Sequence, residues 1–229
     1  MISVVVPALD EEALLPACLT SLNRQKCTEK REIIVADNGS SDASASIARQ
    51  LGAFVVHCAE KEGVFFARQI GARFAHGDIL VQADADTLYP EDWLATIADY
   101  FACLPEAVAL TGRFHYIDPP FWAPLEYSLR DQINRFTVAL VGMPTLVSGA
   151  TFAFRTQAFH AVNGYAGIRF PADQCGLVRR LSRVGDVVYA RDLCVLTSAR
   201  TPRKPLSASK TVLENLKADL HRANTNGRS

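Results

Sequence analysis

Residues 79–87 read ILVQADADT, an apolar run that leads directly into two aspartates, Asp84 and Asp86. The run 79–83 predicts a buried β-strand. Two carboxylates at positions i and i+2 after a strand can converge on one divalent cation, and Mg²⁺ and Mn²⁺ prefer such oxygen ligands. The same pattern also occurs in solvated turns. The rest of the chain has to decide between a cation site and a turn.

Strand patterns alternate with helix patterns through the first half of the chain. The predicted strands cover 2–6, 32–36, 53–57 and 79–83, and the predicted helices cover 11–23, 42–51, 64–75 and 90–101. This alternation is typical of an α/β fold with a doubly wound, mostly parallel sheet and flanking helices. Ligands bind beyond the carboxyl ends of such strands. Asp37 and Asp84 follow the second and fourth strands, so we expect both to face one crevice.

The second half of the chain is smaller and less regular. It predicts strands at 107–116, 151–155, 187–190 and 194–197, and helices at 121–141 and 172–184. Beyond residue 204, apolar side chains at helical spacing predict an amphipathic helix within 205–229, followed by a flexible end. These side chains are Val212, Leu213, Leu216 and Leu220.

Composition limits the classes of partner. The 229 residues carry 24 basic and 24 acidic side chains, so the formal net charge is zero and no nucleic-acid partner is expected. None of the six cysteines forms a C-x-x-C pair, which argues against a zinc ribbon or a redox motif. The start, MISVVVPALDEE, lacks the charged lead of a signal peptide. We therefore expect a cytoplasmic protein with reduced, mostly buried cysteines.

One stretch, residues 136–154, contains no charge over 19 residues and is nearly long enough to span a membrane. It is interrupted by Gly142, Pro144, Ser148 and Gly149. We interpret it as a buried helix, a turn and a buried strand. Peripheral association with the inner membrane face stays open.

Five stretches, in this order, resemble the family 2 glycosyltransferases of the GT-A fold. They are VVVPALDEEALLPACLTSL at 4–22, EIIVADNGSSDASASIA at 32–48, KEGVFFARQIGARFAHGDILVQADADT at 61–87, SGATFAFRTQAFHAVNGY at 148–165 and ADQCGLVRRLSRVGDVVYARD at 172–192. The resemblance implies one GT-A-like catalytic domain over 1–204. Its nucleotide-binding half would be 1–115 and its acceptor half 116–204.

The resemblance also implies a nucleotide pocket. The residues carried over are Pro7, Ala8 and Glu11 after the first strand, Asp37 for the nucleotide base, Arg68 for the diphosphate side, and Asp84. Three of these have a simpler reading from the residues alone. Glu11 could complement a helix dipole, Asp37 could be a turn residue and Arg68 could be a solvated helix charge. A basic cluster, Arg200, Arg203 and Lys204, could assist Arg68 if it folds over the site.

The same resemblance implies a metal and a general base. Asp86, with Asp84 beside it, would hold a divalent cation, Mg²⁺ or Mn²⁺, and Asp173 would take the proton of the acceptor hydroxyl. Asp173 could instead cap the following helix. Two positions depart from the family pattern. Ala172 stands where many members have glutamate, and Thr197 and Ser198 stand where some have a histidine ligand.

The resemblance and these residues together imply transfer of one sugar from a UDP-, GDP- or dTDP-sugar to an acceptor hydroxyl, with inversion. The acceptor is unknown, with a lipid or a small molecule as candidates. Two alternatives remain: transfer to a lipid-phosphate carrier at the membrane face, and a catalytically impaired nucleotide-sugar binding protein. A Rossmann oxidoreductase is disfavoured because residues 7–12 contain no glycine.

Overall fold

The computed structural model describes residues 1–58, 63–168 and 173–200, except for the side chain of Asp173. Eight strands form one sheet in the order β3-β2-β1-β4-β7-β6-β8-β5. Their bounds are β1 (Ile2–Ala8), β2 (Arg31–Asp37), β3 (Phe54–His57), β4 (Ile79–Gln82), β5 (Thr87–Leu88), β6 (Ala107–Tyr116), β7 (Phe152–Arg155) and β8 (Asp186–Thr197).

Helices flank this sheet and connect its strands. Their bounds are α1 (Leu15–Asn23), α2 (Ser44–Gln50), α3 (Val64–Arg73), α4 (Trp93–Cys103), α5 (Ala123–Val141), α6 (Thr156–Ala161) and α7 (Asp173–Leu181). A single 3₁₀ turn, Gly149–Thr151, precedes β7.

The parallel part of the sheet contains β3, β2, β1 and β4. Both faces of β1 are covered, which explains its continuous apolar sequence. Val4 and Val6 pack in the cluster that contains Leu15 and Leu19 of α1. Val5 points to the other face and packs in the cluster that contains Phe152 and Phe154. Because these four strands are parallel, their carboxyl ends meet at one edge.

The remaining strands make the sheet mixed. β7 pairs antiparallel with β4 and β6, β8 pairs parallel with β6, and β5 pairs antiparallel with β8. The prediction of an α/β fold with a mostly parallel sheet is confirmed. β8 is one strand where two short ones were predicted, and its pairing with β6 has a register shift between Thr111 and Arg113. β5 and α6 were not predicted, because two and six residues are too short to show a periodic pattern.

The uncharged stretch 136–154 folds as the predicted helix, turn and strand. α5 ends at Val141 and is capped by Gly142, whose φ of 75° lies in the left-handed region that glycine adopts without strain. The helical part is not buried as predicted, since Phe136 is 58% exposed and Leu140 is 46% exposed. Within the described ranges, no helix is long and apolar enough to cross a membrane. The predicted helix and tail at 205–229 lie outside the described residues.

Candidate active site

Three acidic side chains gather beyond the carboxyl ends of β1 and β4. Glu11 follows β1, and Asp84 and Asp86 lie in the loop between β4 and β5. This loop is held by main-chain bonds, because the Ala83 N–H donates to the Val5 carbonyl at 3.0 Å and the Ser198 N–H donates to the Asp86 carbonyl at 3.0 Å. Two arginines, Arg68 and Arg200, approach the carboxylates from α3 and from the end of β8.

Arg68 is an internal residue that forms an ion pair with Asp84. Its side chain is only 5% exposed, so the reading of Arg68 as a solvated helix charge is wrong. Burial disfavours its positive charge, but the charge and hydrogen bond of Asp84, together with the nearby Tyr165 and Tyr89, raise the pKa of Arg68. Gly149 packs directly against the guanidinium, where a Cβ atom would collide with it. Among the described residues, the Arg68 Nε atom has no hydrogen-bond partner.

Of the three carboxylates, Asp86 has the negative charge that is least compensated by nearby positive groups. It is 24% exposed, its Oδ2 lies 3.7 Å from Arg200 Nη2, and its Oδ1 lies 3.4 Å from the Thr197 hydroxyl. Burial, followed by the negative charges of Asp84 and Glu11, raises the pKa of Asp86 above its usual value. The protein therefore holds this carboxylate where its charge is unfavourable, an arrangement typical of functional sites.

Arg200 links the end of β8 to the loop after β1. Its Nη2 atom donates to Glu11 Oε1 at 2.6 Å and to Glu11 Oε2 at 2.8 Å. Glu11 lies before α1, which begins at Leu15 and has no acidic residue in its first turn. The reading of Glu11 as a carboxylate in the first turn of a helix is therefore wrong. Arg203 and Lys204, the other members of the predicted basic cluster, lie outside the described residues.

Asp37 is buried at the end of β2 and both of its carboxylate oxygens have partners. Oδ1 accepts a hydrogen bond from the Ser40 N–H at 3.1 Å, which confirms the turn reading. Oδ2 lies 2.9 Å from Nδ1 of His57, a residue that the sequence analysis missed. The signal for His57 is its place at the end of β3, directly beside Asp37 in the parallel register. The role of Asp37 in base recognition stays a prediction.

Pro7 and Ala8 form the end of β1 beside this turn. Ala8 is 3% exposed, and its carbonyl accepts a hydrogen bond from the Asn38 N–H at 2.8 Å. Asn38 is itself buried. These contacts fix the backbone next to the predicted pocket, whereas binding by Pro7 and Ala8 stays a prediction.

Asp173 is the first residue of α7, and its side chain lies outside the described part of the structure. The helix is tied to β4 by a buried chain of hydrogen bonds that the sequence analysis missed. Gln82 Nε2 donates to the Tyr165 hydroxyl, which donates to Gln174 Oε1 at 2.6 Å. Cys175 is buried, with its Sγ 2.7 Å from the Thr145 carbonyl, as expected for most of the cysteines.

The donor set suits a hard divalent cation. Asp84 and Asp86 offer carboxylate oxygens and Thr197 offers a hydroxyl, with no cysteine or histidine ligand among them. The described residues contain no group of three or more His, Cys, Asp or Glu side chains arranged to hold a metal ion. A cation bound by these residues would therefore need further oxygens, such as those of a diphosphate.

A small cavity of about 150 Å³ lies between α5, β6 and β8. Ser148 lines it and is the chain neighbour of Gly149, which packs against Arg68. Arg113 lines the cavity, and its buried Nε atom has no hydrogen-bond partner among the described residues. Burial and the positive charge of Arg113 lower the pKa of His115, another lining residue. The cavity also presents Tyr127, Asp131 and Tyr189.

Comparison with known proteins identifies a family. The protein-family model for "Glycosyl transferase family 2" matches residues 3–177 of the sequence. A Bacillus subtilis protein named as the uncharacterized glycosyltransferase YfnE is 38% identical over 97 residues, which are 41% of this chain and 25% of that protein. A PGL/p-HBAD biosynthesis glycosyltransferase of Mycobacterium tuberculosis is 37% identical over 106 residues, which are 44% of this chain and 41% of that protein. The chain thus matches less than half the length of these relatives.

Two solved structures show a similar fold at low sequence identity. The mannosyltransferase PcManGT from Pyrobaculum calidifontis, in complex with GDP-Man and Mn²⁺, has a TM-score of 0.74 at 20% identity and covers 98% of this chain and 64% of its own. Glucosyl-3-phosphoglycerate synthase from Mycobacterium tuberculosis, in complex with Mn²⁺, UDP and glucosyl-3-phosphoglycerate, has a TM-score of 0.65 at 21% identity. That match covers 97% of this chain and 79% of its own.

Proposed function

The chain belongs to glycosyl transferase family 2, and we propose that it moves one sugar from a nucleotide-diphosphate sugar to an acceptor hydroxyl, with inversion. The observation that carries the proposal is the acidic site of Glu11, Asp84 and Asp86, at the sheet edge where open α/β folds bind ligands. The raised pKa of Asp86 marks this site as one that favours a cation. The GDP-Man, UDP and Mn²⁺ bound by the two structural neighbours support this proposal.

The donor side of the site would bind the diphosphate and its cation. Asp86 and Asp84 would hold Mg²⁺ or Mn²⁺, which when bound supplies positive charge against the departing diphosphate. Arg200 is 48% exposed and reaches both Glu11 and Asp86, so its side chain can reorient towards a phosphate oxygen. Arg68 stays behind Asp84 and orients it through the buried ion pair. Pro7, Ala8, Glu11 and Asp37 would line the nucleotide pocket.

The acceptor side would be supplied by α7 and the cavity beside α5. Asp173 would accept the proton of the attacking hydroxyl, and the Gln82–Tyr165–Gln174 chain would fix the helix that carries it. The cavity lined by Arg113, His115 and Tyr127 also contains Ser148, next in the chain to the Gly149 that packs on Arg68, and would receive part of the acceptor. An attack from this side, opposite the departing diphosphate, inverts the anomeric carbon.

An acceptor on a lipid carrier is the second candidate, because four large apolar side chains are exposed on or just before α5, which lines this cavity. Their exposed fractions are 98% for Phe121 just before the helix, 69% for Leu125, 58% for Phe136 and 46% for Leu140. Flotation with lipid vesicles tests this candidate. If these side chains bind lipid, the Leu125→Ser/Phe136→Ser variant should no longer float with the vesicles. If the variant binds vesicles as well as wild type does, they are not a lipid site and a soluble acceptor becomes the remaining candidate.

Calorimetric titration tests the proposed donor site. UDP, GDP and dTDP are titrated with and without Mn²⁺ into wild type, Asp86→Asn and the control Asp99→Asn, which changes an exposed carboxylate on α4. We expect one nucleotide to bind wild type and the control only with Mn²⁺, and to bind Asp86→Asn far more weakly. Binding with catalysis absent would favour the impaired binding protein. The transferase proposal fails if none of the three nucleotides binds wild type with or without Mn²⁺.

A further inference from the structure

A polar groove lies at the end of the sheet opposite the acidic site, and it has no part in the proposed transfer. It has a volume of about 580 Å³ and is lined by the ends of α3, α6 and α7. Its position is fixed by α3, which ends at Arg73, and by Thr156 at the start of α6, whose N–H donates to the Asp78 carbonyl just before β4. This groove therefore lies at the amino end of β4, whereas Asp84 and Asp86 follow its carboxyl end.

The groove is strongly basic. Arg73, Arg180, Arg183 and His160 line it, and none of its lining residues within the described ranges is Asp or Glu. The whole chain has a formal net charge of zero, so this is a local concentration of positive charge. The described residues give neither Arg73 nor Arg183 a salt bridge. We propose that this basic groove is a binding site for a phosphate-bearing anion.

Compensation of helix dipoles explains only part of this charge. Arg73, His160 and Arg180 lie in the last turns of their helices, where basic side chains offset the negative helix end. Three helix ends carry at most about −1.5 charges, at roughly −0.5 each. The three guanidinium groups carry three positive charges, and Arg183 lies beyond the end of α7. About half of the positive charge is thus left for a ligand.

Parts of the groove are held in place without using acidic partners. Arg180 Nη1 donates to the Gly164 carbonyl at 3.1 Å and to the Ala166 carbonyl at 2.8 Å. Gln69 Oε1 accepts a hydrogen bond from the Tyr165 N–H at 2.7 Å, which leaves its amide nitrogen as a donor. These bonds fix one guanidinium and one amide, and within the described part of the chain Arg180 has no acidic partner. A planar guanidinium matches a phosphate group through paired N–H donors.

Binding of inorganic pyrophosphate tests the site directly. The titration is done in EDTA, because without a divalent cation the acidic site repels the probe, and the comparison of variants assigns any binding that is left to the basic groove or to another part of the protein. The test variant is Arg73→Glu/Arg183→Glu, and the control is Arg24→Glu/Lys30→Glu, which makes the same change in net charge at exposed positions elsewhere. We expect at least about tenfold weaker binding for the test variant, since one charged hydrogen bond is worth roughly a factor of ten.

Vesicles of phosphatidylglycerol, compared with phosphatidylcholine, distinguish a lipid headgroup from a free phosphate. Loss of phosphatidylglycerol binding in the test variant alone would identify a headgroup, and groove-dependent pyrophosphate binding without vesicle binding would identify a soluble ligand. The proposal is overturned if wild type binds neither probe, or if test and control variants lose binding equally. Circular dichroism checks folding, and Arg73→Gln/Arg183→Gln replaces the test variant if charge reversal unfolds the protein.

Discussion

Arg68 and Asp84 form an ion pair in which the arginine is 5% exposed while its carboxylate partner is 31% exposed. The buried charge of Arg68 therefore depends on Asp84 more than the partly exposed charge of Asp84 depends on Arg68. Without Asp84, a buried guanidinium would lose its counter-charge. The charge of Asp86, two residues further on, is instead unfavourable, because burial and the neighbouring carboxylates both disfavour it.

This difference predicts opposite effects of two similar substitutions on stability. Asp84→Asn should lower the free energy of unfolding by about 2–4 kcal/mol, somewhat less than for a fully buried pair, because Arg68 would stay charged and buried. Asp86→Asn should leave it within about 1 kcal/mol of wild type, or raise it, because it removes an unfavourable charge. Urea unfolding in EDTA at neutral pH measures both. Equal destabilisation by the two substitutions would contradict the structure.

The position of Arg200 predicts that its removal has opposite effects on the affinity for Mn²⁺ alone and on the affinity for a nucleotide diphosphate. In the absence of ligand, its guanidinium neutralises Glu11 and lies near Asp86. Arg200→Ala should therefore bind Mn²⁺ alone about two- to fivefold more tightly, since a partly exposed ion pair contributes only modestly. The same variant should bind the nucleotide diphosphate with Mn²⁺ more weakly, because a phosphate partner is lost.

The two affinities are measured by Mn²⁺ paramagnetic resonance and by calorimetry. Arg191→Ala is the matched control, because Arg191 is also exposed and ion-paired, but to Asp131 away from the acidic loop. Weaker binding of Mn²⁺ alone to Arg200→Ala would show that Arg200 does not compete with the cation.

The sequence predicted the parts of this structure that local patterns encode. The apolar runs of β1, β2 and β4 identified the parallel sheet, and β6 was predicted with its observed bounds. The carboxylates after β4 were placed at the correct edge because all parallel strands end there. The contacts that define the site could not be predicted from local patterns, since Arg200 and Glu11 are 189 residues apart in the chain. Burial of Arg68 likewise depends on tertiary packing against Gly149, which no local pattern reports.

His115 predicts a pH dependence of stability. Burial and Arg113 lower its pKa below the usual 6.5, so the unfolded chain binds a proton at higher pH than the folded protein does. The contribution of His115 to stability is therefore complete above pH 6.5 and decreases as the pH falls towards the folded-state pKa. His115→Gln should remove this part of the slope. Urea unfolding of both proteins between about pH 5 and 7 measures it, and parallel curves would contradict the expected pKa shift.

Asp173 provides the sharpest test of the proposed chemistry, because its two readings respond differently to one substitution. Asparagine caps a helix about as well as aspartate, so Asp173→Asn should keep wild-type stability whether or not residue 173 is a cap. Asparagine cannot accept the proton of an acceptor hydroxyl, so kcat should fall by about 10²–10⁴-fold if Asp173 is the base. Donor binding, measured by calorimetry, should not change.

The assay follows nucleotide diphosphate release from the donor that calorimetry identifies, with Asp186→Asn at the start of β8 as the control for loss of an exposed carboxylate. A large fall in kcat with unchanged donor affinity and unchanged stability would assign the base to α7. Wild-type kcat in Asp173→Asn would exclude Asp173 as the base, and the search would move to Asp131, the carboxylate that lines the cavity beside α5.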